Sequence, residues 1–182
     1  MNKMLPVYVI EGVDGCGKTT ICKKLAKIKG WKYISTPSEK IKINLKKIEL
    51  SKDEYLGFVY LLYAIFNTSH IIKKCRKKII CDRYYPTIIS YSKALNFKQN
   101  FVILEKLPIV KPTKIFHIYV DYKVIKERLL KKKNLNLDEL RLIKDRKFYD
   151  SLIKEYRKLC DIEINATDLA INQVIKKIES FL

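Results

Sequence analysis

The sequence predicts a doubly wound α/β domain, with a central five-stranded parallel sheet flanked by helices. Three observations carry this prediction. Short apolar runs alternate with longer helical stretches along all 182 residues, the pattern of successive βαβ units. The first apolar run leads into a glycine-rich turn closed by Lys18 and Thr19. No Pro/Gly/Ser linker, repeat or low-complexity tract divides the chain, so residues 1–182 are expected to fold as a single domain of a size that buries a substantial core.

The elements follow in order. Leu5–Ile10 is short, β-branched and ends in Glu-Gly, as expected of a buried parallel strand entering a tight turn. A helix is expected over Gly17–Ile28. Further strands are expected at Trp31–Ser35, Lys78–Cys81, Ile115–Val120 and Asp161–Ile164. Helices should fill Asp53–Cys75, Pro86–Leu95, Tyr122–Lys131, Leu142–Leu159 and Asp168–Phe181. Leu56 to Phe66 is apolar nearly all round, which marks a central buried helix or one shared with a second subunit.

Composition narrows the classes. With 38 Lys and Arg against 19 Asp and Glu, the formal charge is +19, which favours polyanionic partners without separating nucleotides from nucleic acids. Runs such as Lys131-Lys132-Lys133 also read simply as solvated surface. The five cysteines, Cys16, Cys22, Cys75, Cys81 and Cys160, form no CxxC pair and suggest neither a disulfide framework nor a zinc site. The first residues show no basic stretch followed by a long apolar run and a small-residue cleavage site, and no segment approaches about 18 uninterrupted apolar residues, so neither an export signal nor a membrane span is expected. A cytoplasmic protein with no membrane association is expected.

Gly12-Val13-Asp14-Gly15-Cys16-Gly17-Lys18-Thr19 fits G-x-x-x-x-G-K-[ST] between an expected strand and an expected helix. Glycines let the backbone wrap phosphates, so that N–H groups and the helix N-terminus face anionic oxygens. Lys18 would reach the β- and γ-phosphates and Thr19 would ligate Mg²⁺. The ATP phosphate site is therefore assigned to Gly12, Asp14, Gly15, Cys16, Gly17, Lys18, Thr19 and Thr20. A second segment, Ile79 to Tyr84, closes an apolar run with Asp82 and Arg83 at the strand end where α/β sheets bind ligands. Asp82 could support Mg²⁺ through water and Arg83 could bind phosphate; a local ion pair is the other reading.

Taken together, these segments resemble the thymidylate kinase family of nucleoside monophosphate kinases. Glu11 to Thr20 is similar to that family's EG-[IV]-D-G-x-G-K-[ST]-T opening, and Asp82-Arg83-Tyr84 with Thr87 and Tyr91 to its D-R-Y-x-x-[ST]-x-x-A-Y stretch. Leu107-Pro108 through Pro112 to Asp121, Glu127-Arg128-Leu129 and Ile164-Asn165-Ala166 continue the likeness in order. The resemblance implies a single P-loop kinase domain that transfers the γ-phosphate of MgATP to a deoxynucleoside monophosphate, dTMP first among them. It further implies that Asp14 faces the acceptor, that Arg83 holds its phosphate and that Pro37 shapes its pocket. Tyr63 would stack on the base, and Tyr91 would crowd the sugar's 2′ position. Ordinary packing accounts equally well for either tyrosine.

Departures affect the base. Asn67 stands where relatives often place an arginine that reads thymine, and Ile88 where some place an asparagine. Asn67 is carried as the base-reading candidate. With no arginine in the phosphate loop, the missing catalytic cation is sought in a polar, basic lid over Lys131–Lys144. Arg141 is nominated ahead of Arg146, so the catalytic set is Lys18, Arg83 and Arg141. The resemblance also implies a homodimer through the helix carrying Leu56–Phe66. Two rival functions stay in view. A deoxynucleoside kinase would need a carboxylate base, for which Glu39 is the candidate. A nucleic-acid-binding P-loop NTPase or regulator would explain the charge, but no nucleic-acid-binding motif accompanies it.

Overall fold

A computed structural model describes residues 5–42, 54–97, 103–104 and 106–182. Five parallel strands form one sheet in the order β2-β3-β1-β4-β5. They are β1 (Val7–Glu11), β2 (Lys32–Ser35), β3 (Ile79–Asp82), β4 (Lys114–Tyr119) and β5 (Ile162–Asn165). The helices are α1 (Lys18–Lys29), α2 (Glu54–Lys74), α3 (Tyr85–Ala94), α4 (Tyr122–Leu130), α5 (Leu137–Lys144), α6 (Arg146–Leu159) and α7 (Ile171–Glu179). The expected five-stranded parallel architecture is what forms.

Every residue of β1 is buried, because the strand sits between β3 and β4 and is covered on both faces. Its side chains alternate. Tyr8 and Ile10 join a core with Ile21, Leu25, Phe116, Val174 and Ile178, while Val7 and Val9 join another with Ile65, Ile72, Ile79 and Ile115. Parallel registry sets Ile10 beside Asp82 on β3 and Glu11 beside His117 on β4. The polar ends of β1 and β3 are thereby brought to one rim of the sheet, where open α/β sheets bind ligands.

α2 is the long apolar helix expected from the sequence. By length and composition Tyr55–Lys74 would suffice to cross a membrane. Ala64, Ile65, Thr68, Ser69 and Ile72 are nevertheless buried, and Thr36 at the end of β2 bonds Thr68 at 3.0 Å. This is a helix docked on the sheet along one stripe. Tyr55, Leu56, Val59, Tyr63 and Phe66 remain exposed on the other.

The chain between β4 and β5 differs from expectation. Instead of a polar loop leading into one helix over Leu142–Leu159, two helices form and meet at Asp145, whose backbone is extended (φ −123°, ψ 99°). Asp145 accepts the backbone N–H of Phe148 at 3.0 Å, so its side chain caps α6 where α5 stops. α5 begins with a capping box, in which Asn136 accepts the N–H of Glu139 and Glu139 accepts the N–H of Asn136. The Asn-x-x-Glu spacing is a helix start that the expected loop passed over.

Candidate active site

The phosphate loop is shaped by backbone that only glycine adopts easily. Gly12 has φ 141°, and a Cβ placed there would lie 2.5 Å from the Ile118 carbonyl oxygen on β4. Gly15 and Gly17 also have positive φ. Lys18, at the start of α1, is buried and donates to the Val13 carbonyl at 2.7 Å. Its ammonium is thus folded back over the loop, where anionic oxygens would be received. Cys16 lies beside it, with 3.7 Å between Nζ and Sγ. Thr20 points outward in the first turn of α1.

Thr19 donates to Asp82 Oδ2 at 2.5 Å, joining the phosphate loop to the end of β3. Tyr33 also donates to that oxygen, at 3.3 Å. Asp82 Oδ1 is buried with no hydrogen-bond partner. Such an orphan carboxylate oxygen next to a hydroxyl fits a hydrated Mg²⁺ carried in mainly by substrate phosphates. Among the described residues no cluster of three His, Cys, Asp or Glu side chains could hold a metal unaided.

Arg83 is the second focus. Its φ of 67° is left-handed, a conformation that costs a non-glycine residue free energy and persists where the surroundings over-determine it. The backbone N–H of Arg83 bonds Ile10 O at 3.1 Å. The next one, Tyr84 N–H, bonds the buried Glu11 carboxylate at 2.7 Å. The guanidinium pairs with Asp14 at 2.5 Å and lies 5.9 Å from the centre of the Tyr91 ring. Tyr91 Oη in turn donates to Asp14 at 3.4 Å. Asp14, Arg83 and Tyr91, from three separate segments, therefore converge beside the phosphate loop.

The charges follow from these contacts. Burial pushes the Asp14 carboxyl upward, but the positive charges of Arg83 and Lys18 outweigh it and hold the group at about 2. For Glu11 burial wins over its bonds to Thr87 and Tyr84 and over the charges of Arg83 and Lys18, and the carboxyl is pushed up to about 7.

The remaining candidates lie apart. Pro37 follows Thr36 at the β2 exit. Tyr63 and Asn67 line a shallow groove on α2 with Phe66, His70, Lys73 and Pro108, with Tyr63 54% exposed. Ile88 is buried in the core beside α2. Glu39 is exposed and ion-paired with Lys42 at 2.7 Å. Its bond to Lys42 lowers its pKa, the wrong direction for a general base. Arg141 is exposed on α5 and lies 5.4 Å from the centre of the Phe148 ring. Phe148 meets Tyr91 edge to face at 5.9 Å, so two rings separate Arg141 from Arg83. Arg146 is paired with Asp150 and stacked over Tyr122.

Several residues given no role from the sequence join the site. Arg128 on α4 donates to the Gly15 carbonyl at 3.3 Å, a cation on the phosphate loop itself. Thr87, in the first turn of α3, is tied to Glu11, Arg83 and Tyr156. The D-R-Y-x-x-T spacing could have indicated Thr87. Nothing local marks Tyr156, some 70 residues away.

A family model described as thymidylate kinase matches residues 10–178. The chain belongs to the thymidylate kinase family. Within that family it is 30% identical to the "Probable thymidylate kinase" of Methanocaldococcus jannaschii, over 96% of this chain and 94% of the relative. It is 27% identical to the one from Methanococcus maripaludis, over 98% and 94%. Among solved structures, thymidylate kinase from Candida albicans superimposes with a TM-score of 0.74 at 19% identity, over 98% and 91% of the two chains. Deoxyadenosine kinase from M. mycoides gives 0.71 at 19%, over 96% and 98%. At these identities the structural likeness speaks for the fold, and the family rests on the sequence match.

Proposed function

We propose that the protein transfers the γ-phosphate of MgATP to dTMP, giving dTDP and ADP. The observation that carries this reading is the convergence of Arg83, Asp14 and Tyr91 next to the phosphate loop. An arginine held in place by a carboxylate and an aromatic face is suited to an anionic acceptor, and an acceptor phosphate is already a nucleophile that needs no base. Glu39, the base a nucleoside kinase would need, is spent on Lys42. Lys18 and the loop N–H groups would hold the donor phosphates, and Thr19 with Asp82 would hold Mg²⁺, which when bound neutralises phosphate charge. Asp14 would face the acceptor sugar or phosphate, Pro37 would bound its pocket, Tyr63 and Asn67 would meet the base, and Tyr91 would crowd C2′.

Residues 131–144 act as a lid in this reading, bringing Arg141 toward the transferring group and shutting out water. The exposed residues Tyr55, Leu56, Val59 and Phe66 support a homodimer through α2. Nucleotide substrates support the expected cytoplasmic location. Product formation from MgATP should be measured with dTMP, dUMP, TMP with a ribose sugar, GMP and thymidine. dTMP should be the best acceptor. Thymidine exceeding dTMP, or GMP leading the panel, would overturn the assignment.

A further inference from the structure

Arg83 is gripped on two sides. Nη2 pairs with Asp14, the side from which the acceptor arrives in the reading above. Nη1 bonds Thr87 Oγ1 at 3.2 Å and Tyr156 Oη at 3.4 Å. Those two hydroxyls are 3.1 Å apart, and Thr87 donates onward to Glu11 Oε2 at 2.5 Å. Above pH 7, where the Glu11 carboxyl is ionised, proton directions are fixed throughout. Thr87 gives its proton to the carboxylate and accepts from Tyr156, which leaves the Tyr156 oxygen lone pair facing the guanidinium.

Tyr156 comes from α6, far in sequence from the strand that carries Arg83. It is fully buried, and its ring lies stacked on His117 at 5.1 Å and 22°. His117 is itself bonded through Nδ1 to Glu163 on β5 at 2.9 Å. The hydroxyl is therefore aimed by packing rather than left to rotate, which a positioning contact requires.

We infer that Tyr156 is a positioning residue for the acceptor arginine, fixing Nη1 so that Nη2 is free to exchange Asp14 for an incoming phosphate. The inference rests on the reading of Arg83 as the acceptor-phosphate residue. The left-handed backbone at Arg83 makes such support necessary, because no regular element sets the direction of its side chain. The arrangement also ties the helix that follows the lid to the residue that meets the acceptor.

Tyr156→Phe keeps the stack on His117 and removes only the hydroxyl. A hydrogen bond to a charged group, at the weak end because of the 3.4 Å length, predicts about a tenfold loss of kcat/KM for dTMP with KM for ATP unchanged. dTMP affinity measured by calorimetry should weaken in wild type and show no further weakening when the change is added to Arg83→Ala, because both act through one side chain. If Arg83→Ala leaves dTMP affinity and turnover intact, the acceptor reading of Arg83 fails. If Arg83→Ala is impaired while Tyr156→Phe is not, or if Tyr156→Phe weakens dTMP equally in both backgrounds, the positioning role is refuted and the arginine keeps its own.

Discussion

Glu11→Gln and His117→Gln remove two buried titratable groups that are partners across β1 and β4 and respond to pH in opposite senses. Burial raises the Glu11 carboxyl from 4.5 to about 7 against the opposing effects of Thr87, Arg83, Tyr84 and Lys18. Burial lowers His117 from 6.5 to about 4, against the pull of Glu163 and with help from Arg157 and Lys18. Between pH 4.5 and 7 the native state keeps a proton on Glu11 that the unfolded chain has released, so this group's stabilisation is present at low pH and lost as pH rises toward 7. Between pH 4 and 6.5 the unfolded chain protonates His117 and the native state does not, so that contribution grows as pH rises. At roughly 1.4 kcal/mol per pH unit, each ramp amounts to about 3 kcal/mol, and over their shared window they nearly cancel. Urea unfolding from pH 4 to 8, read as the difference between wild type and each variant, removes the contributions of other groups. Wild type should lose about 3 kcal/mol relative to Glu11→Gln on going from pH 4.5 to 7. It should gain about as much relative to His117→Gln from pH 4 to 6.5. Two differences that are flat, or that share one sign, would refute the reasoning.

Other outcomes follow from the same geometry. Lys18→Ala should lower turnover by at least roughly 10²-fold with circular dichroism unchanged, because a preorganised cation over the phosphates is lost; near wild-type activity would overturn the cradle reading. Gly12→Ala sets a methyl 2.5 Å from the Ile118 carbonyl at φ 141°, so it should cost at least about 2 kcal/mol in urea unfolding. Asp82→Asn should shift the Mg²⁺ dependence of turnover to higher concentration, since the orphan carboxylate oxygen is exchanged for a neutral group; an unchanged Mg²⁺ titration would count against the metal assignment. Replacing Tyr91 with a smaller residue should relax deoxyribose preference more than it lowers turnover with dTMP, as a panel of deoxy and ribo monophosphates would reveal.

Much of the site was legible because its geometry is set locally. The phosphate loop is contiguous and its glycines answer to φ, so Gly12 through Thr19 could be read from spacing alone. The alternation of short β-branched runs with helical stretches likewise determined the parallel sheet, because strands buried on both faces must be apolar throughout. The break at Asp145 was missed because the apolar periodicity runs through it, although the capping residues Asn136 and Asp145 were both there to be read.

What the sequence could not supply is proximity across long separations. Asp14 meets Arg83 and Thr19 meets Asp82 only because parallel registry sets the end of β1 beside the end of β3. The third dimension alone put Tyr63 on an exposed stripe, since an all-round apolar helix does not declare which face will dock. It alone brought Tyr156, through its stack on His117, to the far side of Arg83 from Asp14. Linear spacing determined the chemistry available at each strand end, and the order β2-β3-β1-β4-β5 decided which of those ends would share a site.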